Sequence, residues 1–498
     1  MAGSWDAILE AARAEKARFA AALRSPRQTQ LGLLDQIIRK NRDTDFGRRN
    51  GFSSISDLAS FRRRVPVRSY EDFRCDIDRI ALGEADVLTA DRIIAFEETG
   101  GSETGGKLIP YTEASLAGFR RAVLPWLAGL AQRWPEVTSG PTYVTLSPAT
   151  RPSRQAPCGI PIGLEGDAAY LGAELVPAFA ALLAVPPSVA KISEVDRWQI
   201  ETLVALVEAE DLTFISLWSP TFLVALLGTL PGHADRISAS LTASARGRLE
   251  QALRGPEIDT QHLWPRLACV SCWTDGPSAG FAAQLAGLFP HAAIDPKGLL
   301  ATEAAITVPV GTNGLAVPAL TSCVIEFIDA TGEAGLCDEL ADGEDYRIVL
   351  TTEGGLYRYA IGDVVRCVGH DRDVPRLQFL GRAERSSDLV GEKLTEAFVS
   401  EILADLRIAG CVAASDEPAG YVLHIDTVGD SSSLTRKVEQ RLCGNPQYAH
   451  ALRMGQLAPL RVEAGEDVAA DGIAKGIASG RRMGDVKPLA LIPLTGVE

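Results

Sequence analysis

Over residues 142–350 the chain alternates short apolar runs with stretches whose apolar residues recur at helical spacing, and no other feature constrains the fold as much. Strands that alternate with helices are brought side by side in one sheet with helices on its faces, the α/β arrangement. Residues 196–209 place Ile200, Leu203, Val204 and Val207 on one helical face. Residues 214–218 and 267–273 read as buried strands, and Ser219-Pro220 supplies an N-cap and a first-turn proline for a helix through Leu230. The strand over 267–273 ends at Thr274-Asp275-Gly276, where a ligand lies if strand ends face a crevice. It also carries Cys269 and Cys272, a lone CxxC with no second pair or histidine pair at metal-ligand spacing, and is best explained as a buried strand.

The flanks read differently. Ser4 caps a helix to about residue 23, and a second helix covers 31–41. From 321 to 380 the chain turns to repeated strands, with turns at Gly332, Gly343, Gly354-Gly355 and Gly362, a β-barrel-like subdomain. Ile361-Gly362-Asp363 reads as the turn of a hairpin between strands at 356–360 and 364–368, which presents the Asp363 carboxylate at a strand end, able to accept two hydroxyl hydrogen bonds. Gly381-Arg382 and the polar run after it stop a strand over 377–380 and read as a hinge near Glu384. Beyond it, helix (395–406), strand (411–415), strand (420–428), helix (432–443), strand (459–463) and helix (466–478) make a small α+β domain. The expected division is a large amino-terminal α/β domain, 1–383, and a small mobile carboxyl-terminal domain, 384–498.

With 498 residues and a formal net charge of -15, the chain is long enough for several core-bearing units and is no general binder of nucleic acid or anionic membrane. Its start has no basic segment leading into an apolar core, and the longest apolar stretch, about 175–185, is broken by Pro177. Nine cysteines without a framework suit a reducing compartment, so a cytoplasmic protein is expected. Neither HExxH nor GxSxG occurs, which removes support for zinc or serine hydrolase chemistry.

After a short strand at 93–96 comes EETGGSETGGKLIPYTEASLAGF. Its glycines allow successive N–H groups to face one anion, while Ser102, Thr104 and Lys107 add hydroxyls and a charge. No Ser or Thr follows Lys107, so this is not the GxxxxGK[ST] loop, and by composition a glycine-rich surface hairpin fits as well as a phosphate cradle. A helix from 112 or 113 to about 132 follows, with Pro125 expected to kink it and with Arg120 and Arg121 on it.

Four segments, YRYAIGDVV…FLGR…SDLVGEKLTE, TGGSETGGKLIPYT, GLLATEAAITVPV and the closing GDVKP, in which Lys487 matches a lysine, resemble the motifs of the auxin-responsive acyl-acid amido synthetases, the Gretchen Hagen family of adenylate-forming enzymes. That resemblance covers nearly the whole chain and implies the adenylate-forming fold and a two-step ligase. A small carboxylic acid attacks the α-phosphate of ATP to give acyl-AMP and pyrophosphate, and an amine or amino acid then releases AMP. It further implies that Gly101, Ser102, Thr104, Gly105 and Lys107 hold phosphates, that Thr302 borders the nucleotide, and that Glu303 meets Mg2+. Asp363 would take the ribose hydroxyls, Arg382 and Lys393 would flank the nucleotide, and Lys487 would meet charge developing on the α-phosphate and carboxylate oxygens. Arg120 and Arg121 lie on the helix that in the family contributes to the acid pocket. Gly100 and Glu103 stand where relatives carry Ser or Thr, and Ala304 where glycine is usual. A thioester-forming acyl-CoA synthetase and a nucleotide-binding homologue with reduced catalysis therefore stay open beside the amido synthetase. A monomer with small-molecule partners is expected.

Overall fold

The structure, a computed structural model, describes residues 2–99, 107–145, 147, 154–164, 170–311, 314–383, 385–426, 431–465, 467–478 and 483–494. The chain forms two compact units, one of Met1–Ser139, Arg151–Leu182 and Gly298–Gln378, the other of Gly140–Thr150, Leu183–Lys297 and Phe379–Glu498. Glu384, the expected hinge residue, lies outside the described residues.

In the first unit the helix Ala2–Arg24 packs along Glu113–Arg133, which continues through Pro125 and rests on the strand Thr307–Val310. The second helix begins earlier than its apolar pattern suggested, at Pro26–Lys40, because Pro26 occupies its first turn. Its buried Gln30 amide donates to the carbonyls of Leu320 and Cys323 and accepts from Ile325 N, which ties the helix to the strand Val324–Ile328. That strand belongs to a five-stranded sheet in the order Ala334–Gly335, Val324–Ile328, Asp345–Thr351, Tyr359–Asp371, Val374–Arg382. A smaller sheet pairs Lys107–Thr112 with Ile93–Thr99 and continues through Pro161–Ile162 to Arg154–Gln155.

Two expectations for the β-rich region are corrected here. Residues 361–363 are not a hairpin turn: Tyr359–Asp371 is one strand, and its pairing with Asp345–Thr351 slips between Ala360↔Val349 and Val364↔Arg347. Gly362, at φ 83, lets the extra residues bulge without breaking the ladder, since glycine alone adopts that backbone freely. Likewise Gly381-Arg382 does not end a strand at 380, because Val374–Arg382 runs through both residues. The Tyr-Arg pair before the bulge is structural. Tyr357 stacks on Phe46 at 4.5 Å and donates to Leu88 O, while Arg358 is buried against Glu326, which also takes Arg62.

The second unit is built on a parallel sheet in the order Thr142–Val144, Phe214–Ser216, Cys269–Cys272, Ala293–Pro296, as the alternation of strand and helix requires. Helices Val195–Glu208, Pro220–Gly228 and Ala279–Leu288 bury Trp198, Leu203, Phe222, Leu226, Phe281 and Leu285 against it. Cys269 and Cys272 are both buried, as expected of a core strand. The carboxyl-terminal segment of the same unit has its own mixed sheet, ordered Arg461–Ala464, Ala419–Ile425, Gly410–Asp416, Leu491–Ile492, and its own core around Val399, Leu403, Leu423 and Leu442. An additional helix, Pro446–Arg453, is capped by Asn445, whose side chain accepts from Gln447 N and Tyr448 N. The last helix, Val468–Ala478, departs from this core: Ala469 and Ile473, with Met483 and Val486 beyond it, join the core of the parallel sheet. Among the described residues no helix is long and apolar enough to cross a membrane.

Candidate functional site

The strands Ile93–Thr99 and Lys107–Thr112 are antiparallel neighbours with Thr99 opposite Lys107, so the glycine-rich segment joins two paired strand ends. Gly101, Ser102, Thr104 and Gly105 lie outside the described residues. Lys107 opens the second strand with its ammonium 5.6 Å from the Tyr70 ring. At the far end Thr112 caps Glu113–Arg133, accepting from Ser115 N at 3.0 Å, and so fixes where strand becomes helix.

Tyr111, buried one residue before that cap, reaches across 191 residues of sequence to donate from Oη to the Thr302 carbonyl at 2.5 Å. Thr302 and Glu303 form the tip of a tight turn closed by the Leu300↔Ala305 bridge and by Ala301 N donating to Ala304 O at 3.0 Å. Both tip side chains are half-buried, whereas Ala304 points into the core. Burial, and then the neighbouring Tyr170, Glu97 and Glu303, hold the Tyr111 phenol well above its ordinary pKa, so it stays a hydrogen-bond donor. Asp363, at the bulge, is buried at 1% exposure.

Arg120 and Arg121, on Glu113–Arg133, both have protein partners. Arg121 donates from Nε to Thr321 O at 2.5 Å and pairs with Glu353, while Arg120 pairs with Glu174. Neither is the solvent-facing side chain that position alone would suggest.

In the second unit the carboxyl ends of the parallel strands gather a set of groups that sequence reasoning largely missed. Trp218 and Trp273, each just past a strand, lie 6.1 Å apart. Lys297 follows Ala293–Pro296, sits 4.3 Å over the Trp218 ring, and donates to Ser216 Oγ at 2.6 Å and Leu217 O at 3.0 Å. Asp275 accepts from Phe379 N at 3.4 Å, and burial pushes its carboxyl up to about 6. Lys487 comes to the same strand ends with its ammonium 5.3 Å from the Trp273 ring. Its approach is set by the turn Met483–Asp485, where Gly484 N donates to Ser147 Oγ at 2.9 Å and a side chain on Gly484 would meet Thr145. The signal available in the sequence was positional: ligands of parallel α/β sheets lie beyond the carboxyl ends of the strands.

Arg382 ends the strand Val374–Arg382, and Lys393 is exposed at φ 46. Its neighbour Glu392 is no solvated surface charge. It is buried, accepts from Leu389 N and Val390 N at 2.8 Å each, and takes the Tyr421 hydroxyl. Lys107, Thr302, Glu303 and Asp363 thus belong to the first unit, and Arg382, Lys393 and Lys487 to the second.

Two family models match the chain, the GH3 family N-terminal domain over residues 15–254 and the GH3 family central domain over residues 317–382. The indole-3-acetic acid-amido synthetase GH3.15 of Arabidopsis thaliana is 25% identical over 410 residues, covering 72% of this chain and 68% of its own. Among solved structures, GH3.15 acyl acid amido synthetase superposes with a TM-score of 0.82 at 18% identity, over 97% of this chain and 94% of that one. A 2-hydroxyisobutyryl-CoA ligase in the postadenylation state, in complex with R3-HIB-AMP, superposes with a TM-score of 0.57 at 14% identity, over 94% and 89%. The fold is accordingly that of the adenylate-forming enzymes, as the motifs implied.

Proposed function

Since the chain belongs to the GH3 family, we propose that it is an ATP-dependent acyl-acid amido synthetase, which converts a small carboxylic acid to acyl-AMP and passes the acyl group to the amine of an amino acid. The observation that carries this reading is the match to both GH3 family models in a chain similar to the amido synthetase GH3.15. The residues present suit a nucleotide with a hard cation: a carboxylate and a hydroxyl at the 302–303 tip, a buried carboxylate at Asp363, and ammonium groups at Lys107 and Lys487.

In this reading Lys107 and the segment 101–105 hold phosphate oxygens, and Glu303 holds Mg2+. Asp363 accepts from the ribose hydroxyls, while Thr302, Arg382 and Lys393 border the nucleotide. Lys487 stabilises charge that grows on the oxygens between α-phosphate and carboxylate, an effect that is large when the donor is positioned in advance. Arg120 has the more exposed guanidinium of the helix pair, and Arg121 the one already committed to Glu353 and Thr321; either reaches a substrate carboxylate by exchanging a protein partner. The chain divides functionally at 383/384 into an adenylating body and a lid, and it works as a cytoplasmic monomer.

The test is acid-dependent exchange of labelled pyrophosphate into ATP, followed by mass spectrometry of products formed with each amino acid. Exchange with an amide product is expected. Exchange that yields product with coenzyme A and with no amine would replace the amido synthetase by the thioester-forming reading, and ATP binding with no exchange for any acid would leave a nucleotide-binding homologue.

A further inference from the structure

Toward the end of the strand Tyr359–Asp371, a few residues past Asp363, Asp342, Cys367 and His370 converge. Cys367 lies on the strand Tyr359–Asp371 and Asp342 in the turn that leads into Asp345–Thr351. Backbone bonds lock the two segments together, Gly343 N donating to Cys367 O at 2.7 Å and Cys367 N to Glu344 O at 3.0 Å. On a regular strand His370 would point to the face opposite Cys367, because side chains alternate. Gly369, at φ 135, breaks that alternation and brings the imidazole back to the thiol. Cys367 Sγ is 3.7 Å from Asp342 Oδ1 and 3.9 Å from His370 Nδ1, and His370 Nδ1 is 2.6 Å from Asp342 Oδ1.

We propose that Asp342, Cys367 and His370 bind a zinc ion, with a fourth position open to water. Zinc takes sulfur at about 2.3 Å, nitrogen at about 2.0 to 2.1 Å and carboxylate oxygen at about 2.0 to 2.2 Å, so a tetrahedral site has ligand–ligand edges of roughly 3.3 to 3.7 Å. The two edges from sulfur are near those lengths already. The third opens when the metal replaces the hydrogen bond between His370 and Asp342. Binding releases one proton, from the Cys367 thiol, and the imidazole proton that Nδ1 donates to Asp342 in the metal-free protein passes through solvent to Nε2, which frees Nδ1 for the metal. Thiolate, carboxylate and neutral imidazole then leave the site with no net charge. Because a proton is released, affinity increases as pH rises. Calcium and magnesium are poor candidates, since both select oxygen ligands, whereas a thiolate with an imidazole selects zinc and its neighbours.

The test uses the whole protein, first stripped of metal by a chelator and then titrated with zinc against a chromogenic competitor and with cobalt(II) by absorption. One equivalent is expected, with a thiolate-to-cobalt charge-transfer band and tetrahedral visible bands. His370→Ala and Asp342→Asn, both at accessible side chains, should weaken zinc binding by more than the roughly 10- to 100-fold that loss of an outer partner costs. Cys367→Ser should abolish the charge-transfer band, whereas Cys269→Ala and Cys272→Ala should keep it. Zinc should raise the melting temperature of the wild-type protein and not that of His370→Ala. Failure to bind one equivalent, a band that survives Cys367→Ser, or affinity unchanged in His370→Ala each overturns the proposal and leaves Asp342 and His370 as an ordinary surface pair.

Discussion

Replacing Tyr111 by Phe removes one oxygen and tests whether the 302–303 tip works in catalysis. The ring stays buried and stacked against Phe119, at 5.7 Å, so the fold should tolerate the change. The change removes the 2.5 Å bond from Oη to the Thr302 carbonyl, which ties the strand that leaves the glycine-rich segment to the turn that carries Glu303. A neutral bond of this kind contributes about 0.5 to 1.5 kcal/mol net. If the bond serves to hold Glu303 in register for Mg2+ and phosphate, that energy appears in the transition state, where about 1.4 kcal/mol is tenfold in rate. Pyrophosphate exchange should therefore slow by roughly two- to tenfold. The loss should be greater at limiting Mg2+, because a loosened carboxylate binds the cation less well. Glu303→Gln, which removes the charge itself, should cost far more, and the double variant should be no slower than Glu303→Gln alone. Should exchange in Tyr111→Phe equal that of the wild type while Glu303→Gln is inactive, the hydrogen bond does not position the tip. Should Glu303→Gln be fully active, the tip has no part in the chemistry.

Lys487→Ala should slow adenylation by about 100- to 1,000-fold while aminolysis of supplied acyl-AMP stays near the wild-type rate; the exposed Lys475 of Val468–Ala478 is the control, and a defect at Lys475→Ala with none at Lys487→Ala would reassign the closing motif. Asp363→Ala should weaken ATP and AMP equally in calorimetry, by about 1.5 to 3 kcal/mol, since the ribose is common to both; unchanged AMP affinity would reduce Asp363 to a residue of the strand bulge. Asp275 has a folded pKa raised by burial from 3.8 to about 6, so its ionisation opposes folding: Asp275→Asn should leave stability unaltered well below pH 3.8, where the acid is protonated in folded and unfolded chains alike, and raise the melting temperature increasingly as pH climbs from 3.8 to about 6, with no further gain above. A stability difference that does not vary with pH would mean that Asp275 is not desolvated.

The parallel sheet and its helices were legible because each carries its own periodicity, and the buried CxxC strand could be recognised from its apolar neighbours alone. The bulge at 361–363 was not. A glycine between two strand-like runs looks the same whether the chain reverses or merely swells, and the difference lies in the partner strand Asp345–Thr351, which is continuous across it. The helix Pro446–Arg453 had a readable start in Asn445-Pro446, an N-cap followed by a first-turn proline, and was overlooked. The gathering of Trp218, Trp273, Lys297 and Lys487 could not be inferred from spacing, since it depends on which strands are neighbours and on the tail returning to their ends. Motif resemblance found Lys487 without saying what lies beside it. The same limit applies to Tyr111 and Thr302, joined by a bond across 191 residues of sequence.

The return of the chain's last helix to the core of the parallel sheet makes the tail a mechanical latch. Ile473, Met483 and Val486 are seated among Trp198, Leu226 and Phe281, not among the residues of the terminal α+β core. Withdrawing side chains of this size into water costs about 1.5 to 3 kcal/mol each. A terminal domain that swung as one piece would have to break that seating at every turnover, whereas one that left Val468–Ala478 behind would bend in the stretch between Ala464 and Val468. The second route spares that seating, and it would keep Lys487 at the strand ends only if the chain also bent between Lys487 and Leu491, since Leu491–Ile492 pairs with Gly410–Asp416 in the terminal sheet and Leu491 is buried in its core.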